Sequence, residues 1–195
     1  MTDRIKNICV FCSASNNVPD SYKIAAHELG KLIGENGYNT VYGGSQMGLM
    51  FICSDSTKKA GGKVCGIMPE IFANMNLCNP DDCDEFFITK GMRERKALLD
   101  EKSDAVIALP GGFGTLEELS EMIVQKQLGY NNKPIVILNI DNFYDNLLRF
   151  FDDFIEQSFA NKSSKDLYYV AKTPIEAIEY ISSYQPAKFV SKFEK

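Results

Sequence analysis

Asp104-Ala105-Val106-Ile107-Ala108-Leu109-Pro110-Gly111-Gly112-Phe113-Gly114-Thr115-Leu116-Glu117-Glu118 puts a strand, a sharp turn and a helix start in one run. The apolar segment Ala105 to Leu109 reads as a buried strand. The turn that follows is rich in glycine, which lets the backbone bend sharply and lets a ligand approach with no Cβ in the way. A helix opening at Thr115 then presents free N–H groups and the positive end of its dipole, a setting that favours an anion such as phosphate. Thr115 can cap that helix or donate its hydroxyl to the same anion. Glu117 and Glu118 follow one turn on, so acid groups stand beside a nucleotide-type site.

Outward from this run, the whole chain alternates between the two periodicities. Strands are predicted over 5–11, 40–42, 63–68, 86–89, 104–109, 134–139 and 167–171. Helices are predicted over 19–36, 47–60, 91–102, 115–128, 143–157 and 174–184. In the first helix Ile24, Ala25, Leu29, Leu32 and Ile33 form one apolar stripe. The stretch 70–85 has no clear period and reads as a loop with at most a helical turn. Strands alternating with helices imply an α/β fold, a parallel sheet with helices on both faces. Ligands of such sheets gather at the carboxyl ends of the strands. Three small-residue loops fall there: one at Ser13, one at Gly43-Gly44-Ser45, and Pro110 to Thr115 after a strand expected to be central.

The length of 195 residues suits a single domain, 1–185, with a frayed tail over 186–195. A hydrophobic content of 45% and a charged content of 24% match an ordinary soluble protein. The net charge of −5 argues against a generic nucleic-acid binder, which needs a basic surface. No apolar run is long enough to span a bilayer, and the first residues lack the apolar core of a signal peptide. A cytoplasmic setting is expected, with no membrane partner. The six cysteines read mainly as reduced thiols. Cys9 and Cys12 form a CxxC, but strand alternation sends them to opposite faces, and the one histidine, His27, has no ligand-type neighbour. Cys78 and Cys83 flank a polar loop and could approach each other. No metal and no cofactor are expected.

Familiar nucleotide fingerprints fail. Gly43 and Gly48 have the spacing of a P-loop, but Leu49 and Met50 stand where Lys and Ser/Thr belong. Gly112-x-Gly114 lacks the third glycine of a dinucleotide loop, because Glu117 occupies that position. The second informative segment is Lys90-Gly91-Met92-Arg93-Glu94-Arg95-Lys96, with four basic residues in the first turns of a predicted helix. Cations there oppose the helix dipole, so something negative is expected to compensate them. Arg95 suits a bidentate grip on a phosphate or ribose oxygen.

These segments together carry a resemblance. Val10-Phe11-Cys12-Ser13, Val41-Tyr42-Gly43-Gly44 with Gly48-Leu49-Met50, Met92-x-x-Arg95-Lys96-Ala97, Pro110 to Glu118, Gln127-Leu128-Gly129 and Lys133-Pro134 are similar to the Lonely Guy family. Its members are cytokinin riboside monophosphate phosphoribohydrolases, often labelled possible lysine decarboxylases. The resemblance implies a Rossmann-like fold, a homodimer with sites near the subunit interface, and cleavage of a nucleoside monophosphate such as AMP or prenylated AMP into free base and ribose phosphate. It puts the catalytic pair on Arg95 and Glu118. Substrate-binding positions fall on Lys96, Gly111, Gly112, Phe113, Gly114, Thr115 and Glu117, with the small-residue loops at Ser13, Gly43 and Gly44 beside them. The chain departs from the family pattern at Ser45, Asn76, Arg93 and Val124, and Asn76 and Val124 bear on which base is preferred.

The implied chemistry is consistent with the residues. Cleaving the ribose–base bond passes through a cationic sugar that a nearby carboxylate stabilises. Glu118, expected in the first turn of its helix where the dipole favours its ionised form, suits that role or that of a base; Glu117 or Glu121 would supply a second carboxylate. Two other readings compete. A non-catalytic nucleotide or molybdenum-cofactor carrier shares the glycine motif, and a pyridoxal-dependent decarboxylase would need a Schiff-base lysine.

Overall fold

A computed structural model of the chain describes residues 5–186; the expected tail lies outside the described residues from position 187 onward. Seven strands, β1 (Asn7–Phe11), β2 (Asn39–Tyr42), β3 (Val64–Pro69), β4 (Glu85–Thr89), β5 (Ala105–Ala108), β6 (Ile135–Leu138) and β7 (Tyr169–Ala171), form one sheet in the order β4-β3-β2-β1-β5-β6-β7. Every neighbouring pair runs parallel. The helices that follow the strands in turn are α1 (Asp20–Glu35), α2 (Gly48–Lys59), α3 (Glu70–Ala73), α4 (Met92–Glu101), α5 (Phe113–Gln127), α6 (Asp145–Glu156) and α7 (Pro174–Ser183).

Side-chain alternation along the strands feeds two cores, one on each face of the sheet. Ile8, Val10, Ile107 and Leu138 pack with Leu29, Ile33, Leu49 and Ile178, so α1, α2 and α7 cover one face. Cys9, Phe11, Val106 and Ile137 pack with Leu99, Leu119 and Met122, and with Leu147 and Leu148, so α4, α5 and α6 cover the other. All four residues of β5 and all four of β6 are buried, as strands covered on both sides must be. Cys9 and Cys12 fall in different cores, as their alternation predicts.

The differences from the sequence expectations are local. The sheet's middle strand is β1, and β5 lies beside it. Chain order reverses between these two strands, which is where an open α/β sheet leaves a crevice. Ile24, expected in the buried stripe of α1, is 66% exposed; Ala26, Gly30 and Gly34 complete the buried face instead. The stretch 70–85 holds the single turn α3 and a 3-10 turn, Pro80–Asp82, whose N-terminal Asn79 accepts a bond from the Asp81 amide. Cys78 and Cys83 remain separate thiols, as do the other four cysteines.

Candidate active site

The loops after β1, β2 and β5 meet at the carboxyl edge of the sheet. The Ser13 amide donates to the Pro110 carbonyl at 3.3 Å and the Ser13 carbonyl accepts from Leu49, so the first loop ties the other two together. The N-terminus of α2 is already occupied: the Gly48 amide donates to Asn16 Oδ1 at 2.8 Å, and Met47 to Ser45 Oγ. The N-terminus of α5 differs. Its cap residue is Gly112, with no side-chain acceptor. Gly112, Phe113 and Gly114 are exposed, and the Phe113 side chain is 93% exposed. Thr115 does not cap the helix. It is buried beneath Gly111, where a Cβ on the glycine would lie 2.7 Å from the threonine Cβ. Uncapped amides and the positive end of a helix dipole are therefore open to an anion at the carboxyl edge of the sheet.

Beside that cradle stand two helices with opposite charges. Arg95 projects from α4 and is 6% exposed; its Nη1 donates to Glu118 Oε1 at 2.5 Å and its Nε to the Ile67 carbonyl at 3.2 Å. The guanidinium fits only because residue 43 is glycine, since a Cβ there would run into its other terminal nitrogen. Gly44 completes the turn in the left-handed region, at φ 75°. Lys96, next along α4, bonds to Glu117 and lies 2.9 Å from Glu121. Glu94 accepts from the Lys90 amide. Within the basic cluster 90–96, Arg95 and Lys96 are thus compensated by three carboxylates of α5. That pairing joins residues on two helices, so local spacing could not reveal it.

Glu118 requires a correction. Because α5 begins at Phe113, Glu118 sits in the second turn, 5% exposed, and not at the dipole's positive end. Burial pushes its carboxyl above the ordinary value of 4.5, and the neighbouring Arg95 only partly offsets this. Lys96 is raised too, by its hydrogen bonds to Glu117 and Glu121, which for an amine favours the charged form. Sequence reasoning missed two residues behind the loops. One is Asn16, the α2 cap. The other is Tyr144, whose hydroxyl donates to the Leu109 carbonyl at 2.7 Å. Among the described residues no cluster of three or more His, Cys, Asp or Glu could hold a metal ion.

A pyridoxal cofactor does not fit these lysines. Schiff-base chemistry needs an amine that loses its proton readily, and the paired carboxylates hold Lys96 protonated. Lys126 is the lysine with a lowered value, about 8, but it is 1% exposed and turned toward the Lys133 carbonyl and the Tyr184 hydroxyl.

Comparison with known proteins places the chain in a family. Residues 50–181 match the sequence model of a family described as "Possible lysine decarboxylase". A probable cytokinin riboside 5'-monophosphate phosphoribohydrolase of Oryza sativa subsp. japonica is 39% identical over 186 residues, covering 95% of this chain and 74% of that protein. A cytokinin riboside 5'-monophosphate phosphoribohydrolase of Arabidopsis thaliana is 37% identical over 183 residues, covering 94% and 80%. Among solved structures, the molybdenum cofactor binding protein of Rippkaea orientalis superposes with a TM-score of 0.71 at 27% identity, over 93% of this chain and 98% of that one. A molybdenum cofactor carrier protein of Chlamydomonas reinhardtii gives 0.70 at 24%, over 91% and 96%, a likeness of fold. Identity sustained along nearly the whole chain shows that it belongs to the cytokinin riboside 5'-monophosphate phosphoribohydrolase family, within the group described as possible lysine decarboxylases.

Proposed function

We propose that this chain hydrolyses the N-glycosidic bond of a nucleoside 5'-monophosphate, AMP or prenylated AMP, to free base and ribose 5-phosphate. The observation that carries this reading is the buried Arg95–Glu118 pair beside an uncapped, glycine-built helix N-terminus. The phosphate docks on the amides of 112–115, with Gly111 and Thr115 shaping the loop and Phe113 covering its mouth. The ribose then lies toward Glu118. As the bond to the base stretches, positive charge grows on the anomeric carbon, and the ionised Glu118 stabilises it in a poorly solvated setting. Water adds its oxygen to that carbon, and the base departs with a proton in place of the sugar. Arg95 holds the Glu118 carboxylate in register and offers its remaining N–H groups to the substrate. Lys96, steered by Glu117 and Glu121, adds positive charge at the mouth. Ser13 stands on the opposite side, while Gly43, buried against Arg95, and Gly44, buried against Phe86 and Met68, shape the turn behind it.

The carrier reading explains less. Holding a phosphate requires the amide cradle, but it gives no reason to bury a carboxylate and an arginine against each other at a desolvation cost of several kcal/mol per ion in order-of-magnitude terms. We also infer a homodimer. An apolar groove of about 560 Å³ between α5 and α6, lined by Val124, Phe150, Phe154 and Phe159, supports this assignment. A cytoplasmic setting is in keeping with six unpaired thiols.

Incubation with AMP and with prenylated AMP tests the activity, with free base measured by chromatography. The wild-type chain is expected to release base from at least one of them. E118Q, which keeps the side-chain shape, is expected to lose at least about 100-fold in kcat. Equal turnover by E118Q would reject the role given to Glu118.

A further inference from the structure

We infer that Tyr144 is a positioning residue for the phosphate cradle, acting through the Leu109 carbonyl. The inference rests on the reading of Gly111 to Thr115 as a phosphate site. The Leu109-Pro110 dipeptide, from which that loop springs, is held at each of its polar backbone atoms. The Leu109 amide donates to the Phe11 carbonyl at 2.9 Å, and the Pro110 carbonyl accepts from Ser13. Pro110 has no N–H to satisfy. The remaining atom, the Leu109 carbonyl, accepts from the Tyr144 hydroxyl at 2.7 Å, a contact buried on both sides. Tyr144 is 4% exposed, so its ring has nowhere else to go.

The chain aims that hydroxyl by a specific local device. Asn139, at the end of β6, accepts from the Tyr144 amide at 2.7 Å and donates through Nδ2 to Asp145 at 2.8 Å. Its own amide donates to Ala171 at the end of β7. Between Asn139 and Tyr144, two successive residues, Asp141 and Asn142, adopt left-handed backbone at φ 51° and 59°. Such conformations are costly outside glycine and persist where the surroundings enforce them. The strained turn folds the chain back under the sheet edge and delivers Tyr144 to the cradle's base. Burial also keeps the phenol protonated, so it acts as a donor. A displacement of the loop by a fraction of an ångström would misdirect several amides at once, which is why a residue outside the site affects ligand affinity.

Y144F keeps the ring and removes only the hydroxyl. Calorimetric titration with ribose 5-phosphate is expected to show about 5- to 10-fold weaker binding than wild type, while adenine binding is unchanged. In turnover, KM for the monophosphate is expected to rise by a similar factor with kcat within about 2-fold. Ribose 5-phosphate affinity equal to wild type, or equal weakening toward ribose 5-phosphate and adenine, would overturn the inference, the second result marking general structural damage. If wild type binds no ribose 5-phosphate, the inference fails together with the cradle. If wild type releases no base yet binds ribose 5-phosphate in a Tyr144-dependent way, the hydrolase reading fails and the positioning role stands. Should Y144F not fold, Asn139→Ser, which withdraws the brace from the Tyr144 amide and leaves the ring, carries the same comparison.

Discussion

Glu118 is held in a state that its neighbours do not make comfortable. A carboxylate this buried resists ionisation, and Arg95 at 2.5 Å returns only part of what solvation by water would supply. A carboxyl whose pKa is raised in the fold binds its proton more readily than in the unfolded chain. Ionising it at neutral pH therefore costs stability, and acid does not unfold the protein through this group. Activity runs the opposite way, because the mechanism uses the ionised form. The acidic limb of kcat/KM is expected to fall with an apparent pKa above 4.5, the ordinary carboxyl value. A pH-rate profile whose acidic limb lies below that value would contradict the assignment. At this scale the sequence was informative about identity and silent about pairing. Arg95 and Glu118 stand out in their motifs, yet they lie 23 positions apart on different helices, and their contact depends on how α4 and α5 pack. The same holds for Tyr144, whose partner at Leu109 is 35 positions away.

Among the elements, helix N-termini at the carboxyl edge are not equivalent. Asn16 occupies that of α2, whereas that of α5 opens on glycines without a cap. That contrast selects one anion site from two similar-looking glycine turns. The turn after β2 serves another purpose, which is to leave room for Arg95. Gly43→Ala would drive a methyl group into the guanidinium, which Glu118 and the Ile67 carbonyl already pin. The expected result is a fall of about 100-fold in kcat/KM with a loss of about 1–3 kcal/mol or less in stability, measured by turnover and urea denaturation of the same variant. Activity retained within about 2-fold would mean that Arg95 moves without consequence. Strand and helix order was legible because alternation and helical spacing are local signals. Helix α3 was legible only as at most one helical turn within 70–85, since a single turn shows no period. The start of α5 was misplaced because Phe113 and Gly114 are read as turn residues until the dipole and packing of the helix are seen.

The molecule as a whole turns on the reversal of chain order between β1 and β5. Loops on either side of that point diverge, and the crevice between them receives Ser13 from one half and the glycine run from the other. Helix α5 has two working faces, one carrying Glu117, Glu118 and Glu121 and another lining the groove shared with α6. If two copies meet on that groove, the interface lies against the helix that carries the acid groups. Phe150 is 55% and Phe159 81% exposed in the single chain, apolar surface of the kind association covers. Phe150→Glu is expected to shift the light-scattering mass from dimer to monomer; an unchanged dimer would move the interface elsewhere. Seven alternating units made the layered sheet readable from sequence, while the groove was not, because its walls come from α5, α6 and the 3-10 turn Lys162–Leu167.

In the proposed reaction one substrate spans the amide cradle and the Arg95–Glu118 pair. A crystal of E118Q grown with AMP measures it most directly. The phosphate is expected within hydrogen-bonding distance of the amides at 112–115, with the ribose between residues 95 and 118. A phosphate bound elsewhere, or a ribose turned away from both side chains, would contradict it.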